Sequence, residues 1–185
     1  MIIGFATFVT IEEPEKEHIL VKEKHFKIFI KNAMILLKQD QRLQQQIIAI
    51  FLSFSYFLSM PFVVLNANST FTLTGWMLGG FITVQMLGSI IGSTFLWRQI
   101  DHYEKMLSLS FIFMITAFIL ALFADNVYTY EGIFFLFGVA LDGLNISGMN
   151  LVIEIAPEEK RPIYTALQTN LTSIGLFFLF WVGPF

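Results

Sequence analysis

The sequence predicts an all-α integral membrane protein with five transmembrane helices, and three observations support this fold class. Apolar residues make up 56% of the 185-residue chain and charged residues only 14%, against about 45–50% and about 25% in ordinary soluble domains. The mean hydropathy is +0.70. Lys and Arg are missing from five windows long enough to cross a hydrocarbon core, which takes about 20 helical residues.

These windows predict the five spans Ile47–Leu65, Thr74–Leu96, Met106–Ala124, Gly132–Ile153 and Ile163–Val182. Helices are the natural spanning element because each helix satisfies its own backbone hydrogen bonds in lipid. The 22 Phe residues also suit lipid-facing helices better than the alternating pattern of a membrane barrel. Pro61 removes one hydrogen bond from the first span, so we expect a kink or the outer end of the helix there.

The region before the first span has two parts, and residues 47–185 then form the five-helix bundle. Met1–Val9 is apolar but too short to cross a membrane, and it lacks the features of a signal peptide, so we interpret it as the end of a truncated preceding helix. Residues 10–46 form a loop in which Lys22–Arg42 has the pattern of an amphipathic helix on an anionic leaflet. A regulatory partner site is the alternative for this loop. Because the chain also ends directly after an apolar run, we expect it to be a fragment.

The positive charges predict the orientation in the membrane. Seven of the eleven Lys and Arg lie in residues 10–46, and the other four are Arg98, Lys105, Lys160 and Arg161. These residues occupy alternate loops, and the loops on the other side carry none. By the positive-inside rule we expect the charged loops, including the N-terminal loop, to be cytoplasmic, in a protein of the cell's inner membrane.

Residue types disfavour several classes of function. The chain has no Cys, which excludes disulfides, thiolate chemistry and Cys-ligated metals. His18, His25 and His102 all lie in predicted loops, and a single carboxylate at depth provides neither an acid–base pair nor a metal cage. No nucleotide-binding Gly-rich loop is present. We therefore expect no enzyme activity, metal, cofactor or nucleic-acid partner.

Asp142 is the one acidic residue in the middle of a predicted span, and no Lys, Arg or His shares the hydrocarbon region with it. Burying an ionised carboxylate there costs about 2.5 kcal/mol or more, so we expect it to face the bundle interior or water. Asn145 and Met149 follow on the same helical face. This face can line a solute pathway with Asp142 as a proton carrier. The alternative is a packing cluster in which a protonated Asp142 donates to a neighbouring carbonyl.

Two further spans carry polar faces. In the fifth span, Gln168 and Thr172 share one face, which either substrate contact or interhelical hydrogen bonding explains. In the second span, Gly88-x-x-x-Gly92 has the spacing that lets helices approach closely, and Gln85 on that face is a candidate ligand contact. The predicted coupling or substrate pathway consists of Asp142, Asn145, Gln85, Gln168 and Thr172.

Three loop segments resemble those of a known family. Gly92–Lys105, GSTFLWRQIDHYEK, resembles the loop signature of the major facilitator superfamily, a Gly followed by an aspartate and a basic cluster between two helices. Glu154–Tyr164, EIAPEEKRPIY, resembles that superfamily's acidic-Pro-Arg loop two helices later, and Glu12-Glu13-Pro14 is similar to the opening of its central loop. By the order and spacing of these motifs, the chain resembles the second half of such a transporter, from the end of the sixth helix to the eleventh.

The resemblance implies part of a secondary active transporter that moves a small solute by alternating access, with protons as a candidate coupling ion. Its partners would be the lipid bilayer, an unidentified solute and a missing N-terminal half. A non-transporting membrane scaffold, or the remnant of a split gene, is the alternative.

The resemblance also implies a cytoplasmic gate. In the resembled family an interhelical charge cluster holds this side shut in one state of the cycle, and here Arg98, Asp101, Glu154 and Arg161 could form it. The alternative is simple capping, because Asp101 and Glu104 have the spacing of a capping box for the third span.

Overall fold

The computed structural model describes residues 26–182, and within them the chain is helical, without a strand. Its helices are α1 (Phe26–Gln39), α2 (Gln41–Ser53), α3 (Ser55–Thr70), α4 (Gly75–Ile91), α5 (Tyr103–Leu122), α6 (Val127–Ile155) and α7 (Arg161–Val182). A π-helical turn (Gly92–Leu96) and a 3₁₀ turn (Trp97–Gln99) continue α4, and a second 3₁₀ turn (Glu158–Lys160) precedes α7. The predicted helix end at Met1–Val9 lies outside the described residues.

Four helical stretches of the described chain are long and apolar enough to cross a membrane, namely Gln41–Thr70, Gly75–Gln99, Tyr103–Leu122 and Val127–Ile155. They coincide with the first four predicted spans, and the predicted all-α membrane fold is confirmed. The fifth predicted span corresponds to α7, whose 22 residues are enough to cross.

Asp40 separates α1 from α2. Its carboxylate accepts from the backbone N–H groups of Arg42 and Leu43, at 3.0 and 3.2 Å. Because this cap satisfies free N–H groups of the first turn, α2 begins at Gln41, well before the apolar residues of the span. The amphipathic run Lys22–Arg42, expected to be one helix, is therefore divided at Asp40, and its residues before Phe26 lie outside the described part.

The first span is interrupted at Phe54, whereas Pro61 lies inside α3. The Phe54 N–H donates to the Phe51 carbonyl at 3.2 Å, and the Phe57 N–H donates to the Phe54 carbonyl at 3.0 Å. These bonds span three residues instead of four and tighten the chain. The irregularity thus precedes Pro61, which lies within α3. Because α3 continues through Pro61 to Thr70, the alternative that Pro61 marks the outer end of the helix is wrong.

Helix α6 is the centre of packing, with α4 and α5 lying along it. Of its most apolar stretch 56% is buried, against 11% for Gln41–Thr70. Much of the contact is aromatic: Phe81 stacks on Phe134 with ring centroids 4.8 Å apart, and Phe137 meets Tyr56 edge to face at 5.1 Å. The helix that carries Asp142 is thus held by several neighbours.

Glycines allow α4 and α6 to come into contact. A Cβ atom at Gly88 would overlap the backbone carbonyl of Phe135, and one at Gly138 would overlap the carbonyl of Gln85. The predicted packing role of Gly88 is confirmed.

Candidate functional site on helix α6

Asp142 lies near the middle of α6 and is half-buried. Its Oδ2 atom is buried and makes no hydrogen bond within the described part of the chain. Asp142 also forms no ion pair within the described residues, where the ion pair found joins Arg161 to Glu158. A buried polar atom without a partner is costly, so this carboxyl requires a donor: a proton, water or a ligand.

The face of α6 that carries Asp142 is open. Asn145 is exposed, and Met149, one turn further, is 71% exposed. At the flank of this face, Gly143 is buried against the indole of Trp97, on the side that packs on α5. The three residues of the predicted arc therefore lie on one accessible face, next to a tightly packed one.

Gln85 is used in helix packing. Its Nε2 donates to the hydroxyl of the buried Tyr56 at 2.8 Å, which links α4 to α3. One turn further along α4, the Ser89 hydroxyl donates to the carbonyl of Gly138 at 3.0 Å. Gln85 makes no hydrogen bond to Asp142 in the described structure.

Gln168 joins α7 to α6. Its Nε2 donates to the carbonyl of Gly148 at 3.1 Å, and Gln46 of α2 donates to the same carbonyl at 3.1 Å. Thr172 is buried and donates to the carbonyl of Gln168, within its own helix, at 2.7 Å. The polar face of α7 thus lies against other helices. The bond from Gln168 to Gly148 is an interhelical hydrogen bond, which was one of the two explanations considered for this face.

Sequence reasoning missed Gln46, which is 3% exposed and bonds to a carbonyl 102 residues away. Because Gln46 precedes the apolar window, the sequence pattern assigns it to the cytoplasmic loop. The available signal was its helical spacing, three residues after the buried Leu43 and four before Ile50. Like Asp142, Gln46 and Gln168 each keep one buried oxygen, Oε1, without a hydrogen-bond partner among the described residues.

The four predicted gate residues Arg98, Asp101, Glu154 and Arg161 are all exposed, and no ion pair joins them in the described chain. Arg161 instead lies 3.8 Å from Glu158, three residues earlier, with both side chains largely exposed. Such a local, exposed pair contributes at most about 0.5 kcal/mol to the stability of the folded chain. The structure therefore does not bring these four residues together by ion pairs in this conformation.

The predicted capping box at Asp101 is wrong. Helix α5 begins at Tyr103 with His102 as its N-cap residue, and no side chain caps it. Asp101 lies one residue too early for that role. The loop is anchored instead by Trp97, which is 2% exposed and donates from Nε1 to the carbonyl of Val139 at 3.2 Å.

Comparison with known proteins places the chain in a family. The family model described as Major Facilitator Superfamily matches residues 1–185. No curated protein and no solved structure matches the chain. The chain belongs to the Major Facilitator Superfamily, a family of membrane transporters.

Proposed function

We propose that this chain lines one half of the solute pathway of a secondary transporter working by alternating access, and that Asp142 is its coupling or binding carboxyl. The observation that carries this is the open face of α6, on which the unpartnered Asp142 lies beside Asn145. Solute sites in transporters lie near the bilayer midplane, at the interface between repeats. Asp142, in the middle of a 29-residue helix, has the corresponding depth.

The partner proposed for this face is a second bundle of the same family, the N-terminal half expected from the sequence. A face with a carboxyl and an amide at membrane depth is unfavourable against lipid. A second bundle would cover it and leave a polar space between the two. The exposed charges Arg98, Asp101, Glu154 and Arg161 are proposed to pair as a gate in another state of the cycle, when the helix ends approach.

The solute proposed is one with several hydrogen-bond donors, such as a polyol, a sugar or a primary amine. The buried side-chain atoms that lack partners among the described residues are all acceptor oxygens, on Asp142, Gln46 and Gln168. No Lys, Arg or His of the predicted spans is available to hold an anion. Acceptors without donors favour a donor-rich solute over a phosphate or a carboxylate.

A solute-induced proton flux tests the proposal. The transporter that contains this chain is reconstituted in liposomes with a trapped pH indicator, and sugars, polyols and primary amines are added in turn. We expect at least one to change the internal pH, and Asp142→Asn to reduce that flux by about 10²-fold or more, because the substitution keeps the shape but removes the titratable proton. The matched control is Asp125→Asn, an exposed carboxyl in a loop.

Two outcomes would contradict the proposal. If Asp142→Asn supports the same proton flux as the unchanged protein, Asp142 is a packing residue. If no solute moves at all, with or without a proton, the scaffold alternative is favoured.

A further inference from the structure

Three helices meet at the carbonyl oxygen of Gly148 in α6. The side-chain amides of Gln46 from α2 and Gln168 from α7 both donate to it from Nε2, each at 3.1 Å. A carbonyl oxygen has two lone pairs, so it can accept both bonds. The glycine allows α2 to come this close, because a Cβ atom at position 148 would lie 2.5 Å from the Cδ1 atom of Ile50. One backbone atom thus holds both neighbouring helices at the same level of α6.

The shared carbonyl determines how both amides are turned. Only the nitrogen of an amide can donate to a carbonyl, so each Nε2 faces Gly148 and each Oε1 points elsewhere. The Oε1 atoms of Gln46 and Gln168 are both buried, and neither has a hydrogen-bond partner among the described residues. Gln46 as a whole is 3% exposed. Because a buried acceptor without a donor is costly, the junction requires a donor that the described chain does not supply.

The chemistry of the junction limits what this donor can be. An ion is disfavoured, because a buried charge needs an opposite charge, and no carboxylate bonds to either glutamine within the described residues. A larger solute is disfavoured as well, since both oxygens are sealed from solvent in this conformation. A water molecule has two donors for the two oxygens, and buried waters characteristically bond to polar groups that the protein leaves unsatisfied.

The separation of the two amides is compatible with one shared water. Because both nitrogens lie 3.1 Å from the same carbonyl oxygen, they cannot be farther apart than twice that distance. A water that donates to two oxygens bridges atoms up to about 5.5 Å apart, which is twice the usual O–H···O distance.

We propose that a buried water molecule bridges the Oε1 atoms of Gln46 and Gln168 and so completes a hydrogen-bonded junction of α2, α6 and α7. The water donates one hydrogen to each oxygen. Both amides then have their nitrogen on the Gly148 carbonyl and their oxygen on the water, which fixes α2 and α7 to one level of α6. The proposal concerns this conformation and does not depend on the transport function. A donor-rich solute that entered the junction would replace the same two bonds.

A crystal structure of the transporter that contains this chain tests the site directly, at about 2 Å resolution, in the conformation described here and without added solute. We expect one ordered water within about 3.2 Å of both Oε1 atoms. This measurement requires no variant, so a folding defect cannot obscure it. A separate water on each oxygen, no water, or protein donors on the two oxygens would each overturn the proposal.

A double-mutant cycle measures whether the two oxygens share a donor. Gln46→Met and Gln168→Met each remove one oxygen, and we expect each to lower the folding equilibrium constant of the same transporter in SDS by about tenfold. If one water serves both oxygens, the first substitution already breaks the bridge, so the pair should cost about 20-fold rather than about 100-fold. Gln46→Met combined with Gln85→Met is the control, because Gln85 bonds to Tyr56 instead, and these two costs should multiply. Costs that also multiply for Gln46 and Gln168 would contradict the shared water.

Discussion

At the scale of single residues, Gly143 determines how closely α5 and the turn after α4 approach α6. A Cβ atom there would overlap the hydroxyl of Ser110 and lie within 2.6 Å of the Trp97 indole. The indole also bonds to the Val139 carbonyl, so it is not free to move aside. Gly143 therefore fixes the packed side of α6 and, with it, the direction in which Asp142 points.

Gly143→Ala should lower the free energy of unfolding by about 1–3 kcal/mol, the usual cost of overpacking. Gly132→Ala on the same helix is the control, because nothing lies within 4 Å of its added Cβ. That change should be neutral, or stabilising by up to about 1 kcal/mol through helix propensity. Unfolding in SDS, followed by circular dichroism, measures both. Equal effects of the two substitutions would show that Gly143 has no special packing role.

The candidate site could be predicted from the sequence only in part, and particular residues show why. Asp142 was found because a carboxyl within an apolar window is unusual whatever surrounds it, and Asn145 followed from helical spacing. Gln85 and Gln168 could not be distinguished from pathway residues, since their partners Tyr56 and Gly148 lie far away in sequence. Gln46 was missed because its burial depends on a contact across 102 residues.

At the scale of helices, Asp40 connects α2 to α7. Besides capping α2, it accepts a hydrogen bond from the Tyr164 hydroxyl. Partial burial of the carboxylate opposes its ionisation, but the bonds from Tyr164, Leu43 and Arg42 and the charge of Arg42 outweigh burial. The pKa of Asp40 is therefore lowered from its ordinary value of 3.8. Because the folded pKa is the lower one, this stabilisation is present above the unfolded pKa and is lost as pH falls through the folded value.

Asp40→Asn should keep an N-cap acceptor but lose the charge. We expect it to be less stable than the unchanged chain at about pH 6, and the difference to narrow below about pH 4 as Asp40 itself becomes protonated. Tyr164→Phe, which removes the same bond from the other side, should show the same narrowing. Thermal denaturation over this pH range measures both. A difference that stays constant with pH would contradict the role of the Asp40 charge.

The helices themselves could be predicted because apolar windows and charged loops are local features of the sequence. Their ends could not, since these depend on individual side-chain bonds. Asp40 starts α2 inside a polar segment, and the chain tightens at Phe54 rather than at Pro61. The loop after α4 was interpreted from its charges, whereas it is held by the buried Trp97.

At the scale of the whole molecule, the positive charges predict one sidedness for every loop. Lys38 and Lys160 should react with an amine reagent from the cytoplasmic side only, and a Cys at Ser69 should react with a thiol reagent from outside only. All three residues are exposed, so access to them depends on the side of the membrane. Labelling of sealed vesicles of known orientation makes the measurement. The opposite pattern would reverse the assignment of all loops.

The central claim is that the Asp142 face of α6 lines a water-accessible pathway, and thiol accessibility tests it most directly. The chain has no Cys, so a single Cys can be placed at Asn145 or at Ile112. Both positions are exposed and lie well within their spans, but Ile112 is an apolar residue of α5, 58% exposed. A charged thiol reagent acts on the thiolate, which requires water. In membranes that hold the transporter containing this chain, Asn145→Cys should react readily and Ile112→Cys should remain unreactive, whereas two equally unreactive cysteines would show that the Asp142 face does not line a water-accessible pathway.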